Sequence, residues 1–189
     1  ACQDLTPGPR AYNGVSIGLE GKFAMSAPET VLSTQFDSSE FRKAMGTFCT
    51  GITVVTIPQG EGVVGMTANS FTSVSLAPPL VLISVGKNLS MHGWIREAGK
   101  FGVTVLAADQ IEASNYFAGK RTPEVEATLR YDWHDTIPML TGGLANVACR
   151  LWAEYDGGDH TLFLGEVMGL RVHEHSNPLL YYGGYRTFE

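Results

Sequence analysis

The sequence predicts a mainly β protein, an antiparallel barrel with a few helices. Three observations carry that prediction. Short apolar, β-branched runs between Gly and Pro breakers outnumber helical patterns. Successive runs lie close in the chain and are joined by tight turns such as Gly157-Gly158-Asp159, which is how antiparallel strands connect. No glycine fingerprint of the strand–turn–helix kind is present, so a doubly wound sheet with a dinucleotide crevice is not expected.

Residues 1 to about 35 are rich in Gly, Pro and Ser and weakly periodic; they are read as an N-terminal arm. One domain, 36–189, follows. Asp37 is placed as the N-cap of a first helix, with Glu40 completing a capping box and Phe36 and Phe41 at the staple positions. Phe41, Ala44, Met45 and Phe48 share one face, read as core, and Gly51 is the expected stop. Ile52 to Ile57 reads as a strand, 58–62 as a turn, and Val63 to Thr67 as the returning strand of a hairpin.

The stretch from Gly65 to Val85 organises the rest. Ala68 to Ser73 is small and hydroxyl-rich, Ala77-Pro78-Pro79 breaks the chain, and Leu80 to Val85 is an apolar, buried strand. The small segment fits a Ser/Thr-rich turn and equally a surface where a flat polar ligand lies against backbone. A helix capped by Asn88 is expected next, burying Met91, Trp94, Ile95 and Ala98 and stopping at Gly99. Phe101 to Ala107 is a strand, Asp109 caps a short helix to Phe117, and 119–136 is irregular with one helical turn at Pro123 to Glu126. Two long alternating strands end the pattern. The first sets Leu144, Cys149, Leu151, Ala153 and Tyr155 opposite Asn146, Arg150 and Glu154, and the second runs from His160 to His173.

Composition narrows the function. The formal charge is −6 with no basic patch, so nucleic acid is not an expected partner. No apolar run is long enough for a membrane helix. Cys2, Cys49 and Cys149 are odd in number and form no CxxC, and the latter two read as small core residues. The start lacks the pattern of a signal peptide, which points to a reduced, cytoplasmic protein. His173 and His175 have no third ligand nearby, so no metal site is expected.

Four blocks resemble one family in its order: FRKAMGTFCTGITVVT, GMTANSFTSVSLAPPLVLISV, GGDHTLFLGEV and PLLYYGGYRTF. They resemble the flavin reductase family with the FMN-binding split-barrel fold, over roughly Phe36 to Glu189. The resemblance implies a split barrel, hydride transfer from NADH or NADPH to FMN (FAD is the alternative), a homodimer, and a partner monooxygenase that takes the reduced flavin. It also implies that Thr67, Ala68, Asn69, Ser84 and Val85 hold the ring and ribityl chain, with Phe101, Gly102 and Val103 lining the same cleft. Where this chain has Thr104, the family often has Asn.

A phosphate site is legible from the residues: Lys87 precedes a helix whose first N–H groups, at Ser90 and Met91, can donate, and Ser70 can add a hydroxyl. A solvated lysine beside an ordinary cap fits the same residues. His160, in the GDH block, is implied as the catalytic residue near the nicotinamide; a hairpin histidine with a local hydrogen bond is the plainer reading. Tyr185 and Arg186 are implied as dinucleotide contacts, against an aromatic edge strand. Two other functions stay open: a same-fold reductase with a ferric or corrinoid acceptor, and a flavin-binding protein without catalysis.

Overall fold

A computed structural model describes residues 32–173 and 177–187. Apart from 32–35, the expected arm lies outside the described residues, as do Cys2 and His175. Asp37 begins the compact unit that carries the fold.

Helix α1 (Ser38–Met45) starts where its sequence says: Asp37 accepts from the Ser39 and Glu40 N–H groups while Glu40 reaches back to the Asp37 N–H. It ends at Gly46 rather than Gly51. Its apolar face is not core, because Phe41, Met45 and Phe48 are at least half exposed.

Next come β1 (Thr50–Gly51), β2 (Thr53–Gln59), β3 (Gly62–Ala68), β4 (Phe71–Leu76) and β5 (Pro79–Gly86). Gly60, Gly62 and Gly65 have the spacing of a dinucleotide fingerprint, yet they form the β2–β3 hairpin and no helix follows. Helix α2 (Ser90–Ala98) buries Met91 and Ile95 and stops at Gly99, whose φ of 61° is the left-handed conformation that glycine adopts at no steric cost. Strand β6 is Lys100–Val105. Helix α3 (Ile111–Phe117) begins after Gln110, not at an Asp109 cap, and α4 (Pro123–Glu126) is capped by Thr122. The stretch expected to be irregular contains β7 (Tyr131–His134), which pairs with β8 (Ile137–Leu140). The long hairpin is β9 (Ala145–Gly157) and β10 (His160–Val172), and the tail forms β11 (Leu180–Tyr181) and β12 (Tyr185–Arg186).

The main sheet has the order β3-β2-β6-β9-β10-β5-β4, antiparallel throughout. Strands β3 and β4 are its two edges, yet only Asn69 and Ser70 separate them in the chain. Two residues span at most about 11 Å across three Cα steps, so the sheet must curl until its edges meet. That is a split barrel, and Asn69 and Ser70 sit at the split. The core inside includes Val55, Ile83, Ile95, Phe101, Val103 and Phe163, all fully buried. Strand β8 crosses the outside of β2 and β6: Thr56 donates to the Pro138 carbonyl at 2.5 Å, and a side chain at Gly102 would collide with that same carbonyl. Cys149 is buried as expected, whereas Cys49 is exposed. Asn146 is also buried, at 2 % exposure, so this end of β9 has no polar outer face.

Candidate functional site

The barrel split opens a cleft. At Ala68 the β2–β3 ladder ends, and at Phe71 the β4–β5 ladder begins. Between them the backbone has no strand partner, which leaves Asn69 exposed. Thr67, Ala68 and Asn69 form one wall of a cleft of about 440 Å³. The opposite walls are Tyr181 and Tyr185 from the C-terminal hairpin, and Phe41, Arg42 and Met45 from α1. The volume falls within the range of small-molecule sites, about 300–1,000 Å³. Apolar rings and methyls lie beside exposed backbone, and one guanidinium is present. That donor set suits a flat heteroaromatic ring with an apolar end and a hydrogen-bonding end.

The cleft walls are tied together. Thr67 donates through its hydroxyl to the Ser114 carbonyl at 2.6 Å, and the Ser114 hydroxyl meets the Tyr185 hydroxyl at 2.9 Å. Helix α3 thus links β3 to the tail. Arg186 turns its guanidinium to the Tyr185 carbonyl at 2.7 Å, so it folds locally.

The second group lies at the end of β5. Ser70 donates to the Ser84 carbonyl at 3.0 Å and accepts from the Ser84 N–H at 3.3 Å. Beyond Ser84 come Val85, Gly86 and Lys87, and register sets Gly86 opposite His160. The Lys87 N–H donates to the Asp159 carbonyl at 2.9 Å. Its ammonium donates to Asp156 Oδ1 at 2.9 Å and to the Gly158 carbonyl at 2.6 Å. His160 Nδ1 lies 2.7 Å from Asp159 Oδ1, and its side chain is 46 % exposed. That hydrogen bond holds the Asp159 carboxyl below its ordinary range, and Lys87 does the same to Asp156.

Helix α2 starts after Leu89, not Asn88, and no side chain caps it. Its first N–H groups are thereby left to other acceptors, but Met91 can offer only backbone because its side chain is buried. Val85 is limited in the same way.

Three expected cleft residues are elsewhere. Phe101, Gly102 and Val103 lie mid-strand between β2 and β9, and the two side chains have no exposure. They build the core beneath the site. Thr104 is equally buried and donates to the Leu140 carbonyl at 3.3 Å, so it faces β8. Phe41, Arg42, Met45 and Tyr181 line the cleft and Ser114 braces it, roles that no motif in the sequence assigns to them. The α1 face has only two large apolar residues, Phe41 and Met45, and that shortness is the one sequence signal that it lines a cleft rather than a core.

Residues 45–189 match the family described as flavin reductase-like domain. An NADH-dependent flavin reductase from a Rhodococcus species is 43% identical over 153 residues, 78% of this chain and 85% of the relative. The reductase subunit HsaB of a flavin-dependent monooxygenase from Rhodococcus jostii is 38% identical over 160 residues, 83% of this chain and 80% of the relative. The solved structure of the Streptomyces globisporus NADH:FAD oxidoreductase with NAD and FAD fragments superposes with a TM-score of 0.74. It is 41% identical and covers 81% of this chain and 93% of that one.

Proposed function

The chain belongs to the flavin reductase-like family, and on that premise we propose that it is an NADH-dependent flavin reductase that supplies reduced flavin to a partner monooxygenase. The observation that carries this is the cleft at the barrel split, where unpaired backbone and aromatic walls meet. The two Rhodococcus relatives supply the nicotinamide and the monooxygenase.

When bound, the flavin supplies a ring that takes a hydride from the dihydronicotinamide and a proton from solvent. The chain contributes binding and orientation. Thr67, Ala68 and Asn69 hold the ring against backbone, with Ser84 and Val85 along the ribityl chain; Ser70, expected at the phosphate, has its hydroxyl bonded to Ser84 and braces that strand end instead. Lys87 and the N–H groups of Ser90 and Met91 meet the phosphate, which FMN and FAD share at this point. His160 orients the nicotinamide, and Tyr185 with Arg186 closes the dinucleotide side.

The active species is a homodimer. Leu170 and Val172, two positions apart on β10, are each 70 % exposed, and a second copy gives such a face its cover. No described helix is long and apolar enough to cross a membrane, and the enzyme works in the cytoplasm. Anaerobic NADH oxidation with excess free FMN tests the function. One NADH should be consumed per flavin reduced, over many turnovers. Oxidation only when a ferric or corrinoid acceptor is added would move the chain to that reaction.

A further inference from the structure

We propose that Asp156 is a positioning residue that weakens the hold of Lys87 on the flavin phosphate, so that reduced flavin can leave. This rests on the assignment of Lys87 to the phosphate.

The Asp156 carboxylate sits where the β9–β10 turn meets the end of β5. One oxygen, Oδ1, accepts from both the Lys87 ammonium and the Gly158 N–H, each at 2.9 Å. The Gly158 carbonyl accepts from a second ammonium N–H, with N···O 2.6 Å. An ammonium has three donors, so one remains for an incoming phosphate. Asp156 also cancels the lysine charge. A phosphate dianion arriving there meets a pair with no net charge instead of a bare cation, so its attraction to Lys87 is reduced. The same carboxylate fastens the turn that carries His160, because Gly158 lies two residues before it. A reductase that hands its product to another enzyme must release it, and a neutralised lysine shortens the residence of a phosphate-bearing flavin.

The pair is exposed, with side chains 41 % and 78 % accessible, which limits its strength. Removing only the charge should therefore have a small, directional effect. Asp156→Asn keeps an oxygen for the Gly158 N–H and leaves the turn fastened. It should tighten FMN about two- to fivefold, the span of an exposed ion pair, and slow FMN release by a similar factor. Riboflavin, which has no phosphate, should bind unchanged. In a Lys87→Ala background the gain should vanish, as a coupled pair requires.

Flavin fluorescence titration and stopped-flow release on the full chain read all of this, with the melting temperature checking the fold. Equal shifts for FMN and riboflavin, weaker FMN binding in Asp156→Asn, or a gain that survives in the double variant would each overturn the proposal. If Lys87→Ala separates FMN from riboflavin but Asp156→Asn does not, Asp156 has no such role and the phosphate assignment stands. If Lys87→Ala itself fails to separate them, the phosphate assignment falls and takes this proposal with it.

Discussion

The hydroxyls of Tyr185 and Ser114 lie 2.9 Å apart, although the two residues are 71 positions apart in sequence. Ser114 is fully buried on α3, and its carbonyl accepts from Thr67. The bond therefore fastens the C-terminal hairpin to the wall of the cleft. Tyr185→Phe should leave the buried Ser114 hydroxyl without this partner, at about 1–3 kcal/mol. For a chain this long, each kcal/mol lowers the melting temperature by about 2–4 °C. Calorimetry should show a loss of that order. An unchanged melting temperature would mean the tail is not held here.

Lys87→Ala should weaken FMN far more than riboflavin. A hydrogen bond to a charged group contributes roughly 1.5–3 kcal/mol, about ten- to a hundredfold in affinity. Lys87 is partly exposed and shares its charge with Asp156, so the lower end is expected. Paired titrations with the two flavins measure it.

His160→Ala should leave flavin affinity nearly unchanged and act on the nicotinamide. Loss of one hydrogen bond, roughly 0.5–1.5 kcal/mol, gives about a two- to tenfold fall in kcat/KM for NADH. A rise in KM alone would mark simple binding, and a fall in kcat would mark alignment of the hydride donor. A variant that loses flavin but reduces what remains at the parental rate would put His160 on the wrong ligand.

A homodimer should be seen by sedimentation at micromolar concentration. Leu170→Glu together with Val172→Glu places charge on the exposed apolar face and should shift the protein toward monomer. A monomeric parent that binds flavin tightly would contradict the assembly.

Burial pushes the Cys149 thiol up to about 12, from an ordinary 9.0. The neutral thiol is thus favoured in the fold, and stability falls as pH rises past the unfolded thiol's value. Near pH 8, iodoacetamide followed by peptide mapping should label the exposed Cys49 and spare Cys149. Labelling of both at equal rates would show that β9 opens readily.

What the sequence determined by itself was local. The capping box of Asp37 and Glu40, the buried face and glycine stop of α2, and the turn between β9 and β10 each depend on residues a few positions apart. Helical period and turn chemistry act at that range, so they can be read without the fold. The four sequence blocks also carried the family and, with it, the split barrel. The tertiary structure decided what lies between blocks. It turned Phe41 and Met45 to a cleft, because the end of β3 and the C-terminal hairpin face that side of α1 across open space. It sank Phe101 and Val103 into the core by curling the sheet so that β5, β10 and α2 pack over the inner face of β6. It set Asn69 and Ser70 at the barrel split by placing two neighbouring strands on opposite edges of one sheet. It joined Lys87 to Asp156 across 69 positions. No periodicity encodes such contacts, since they arise only when distant strands are in register and their ends coincide in space.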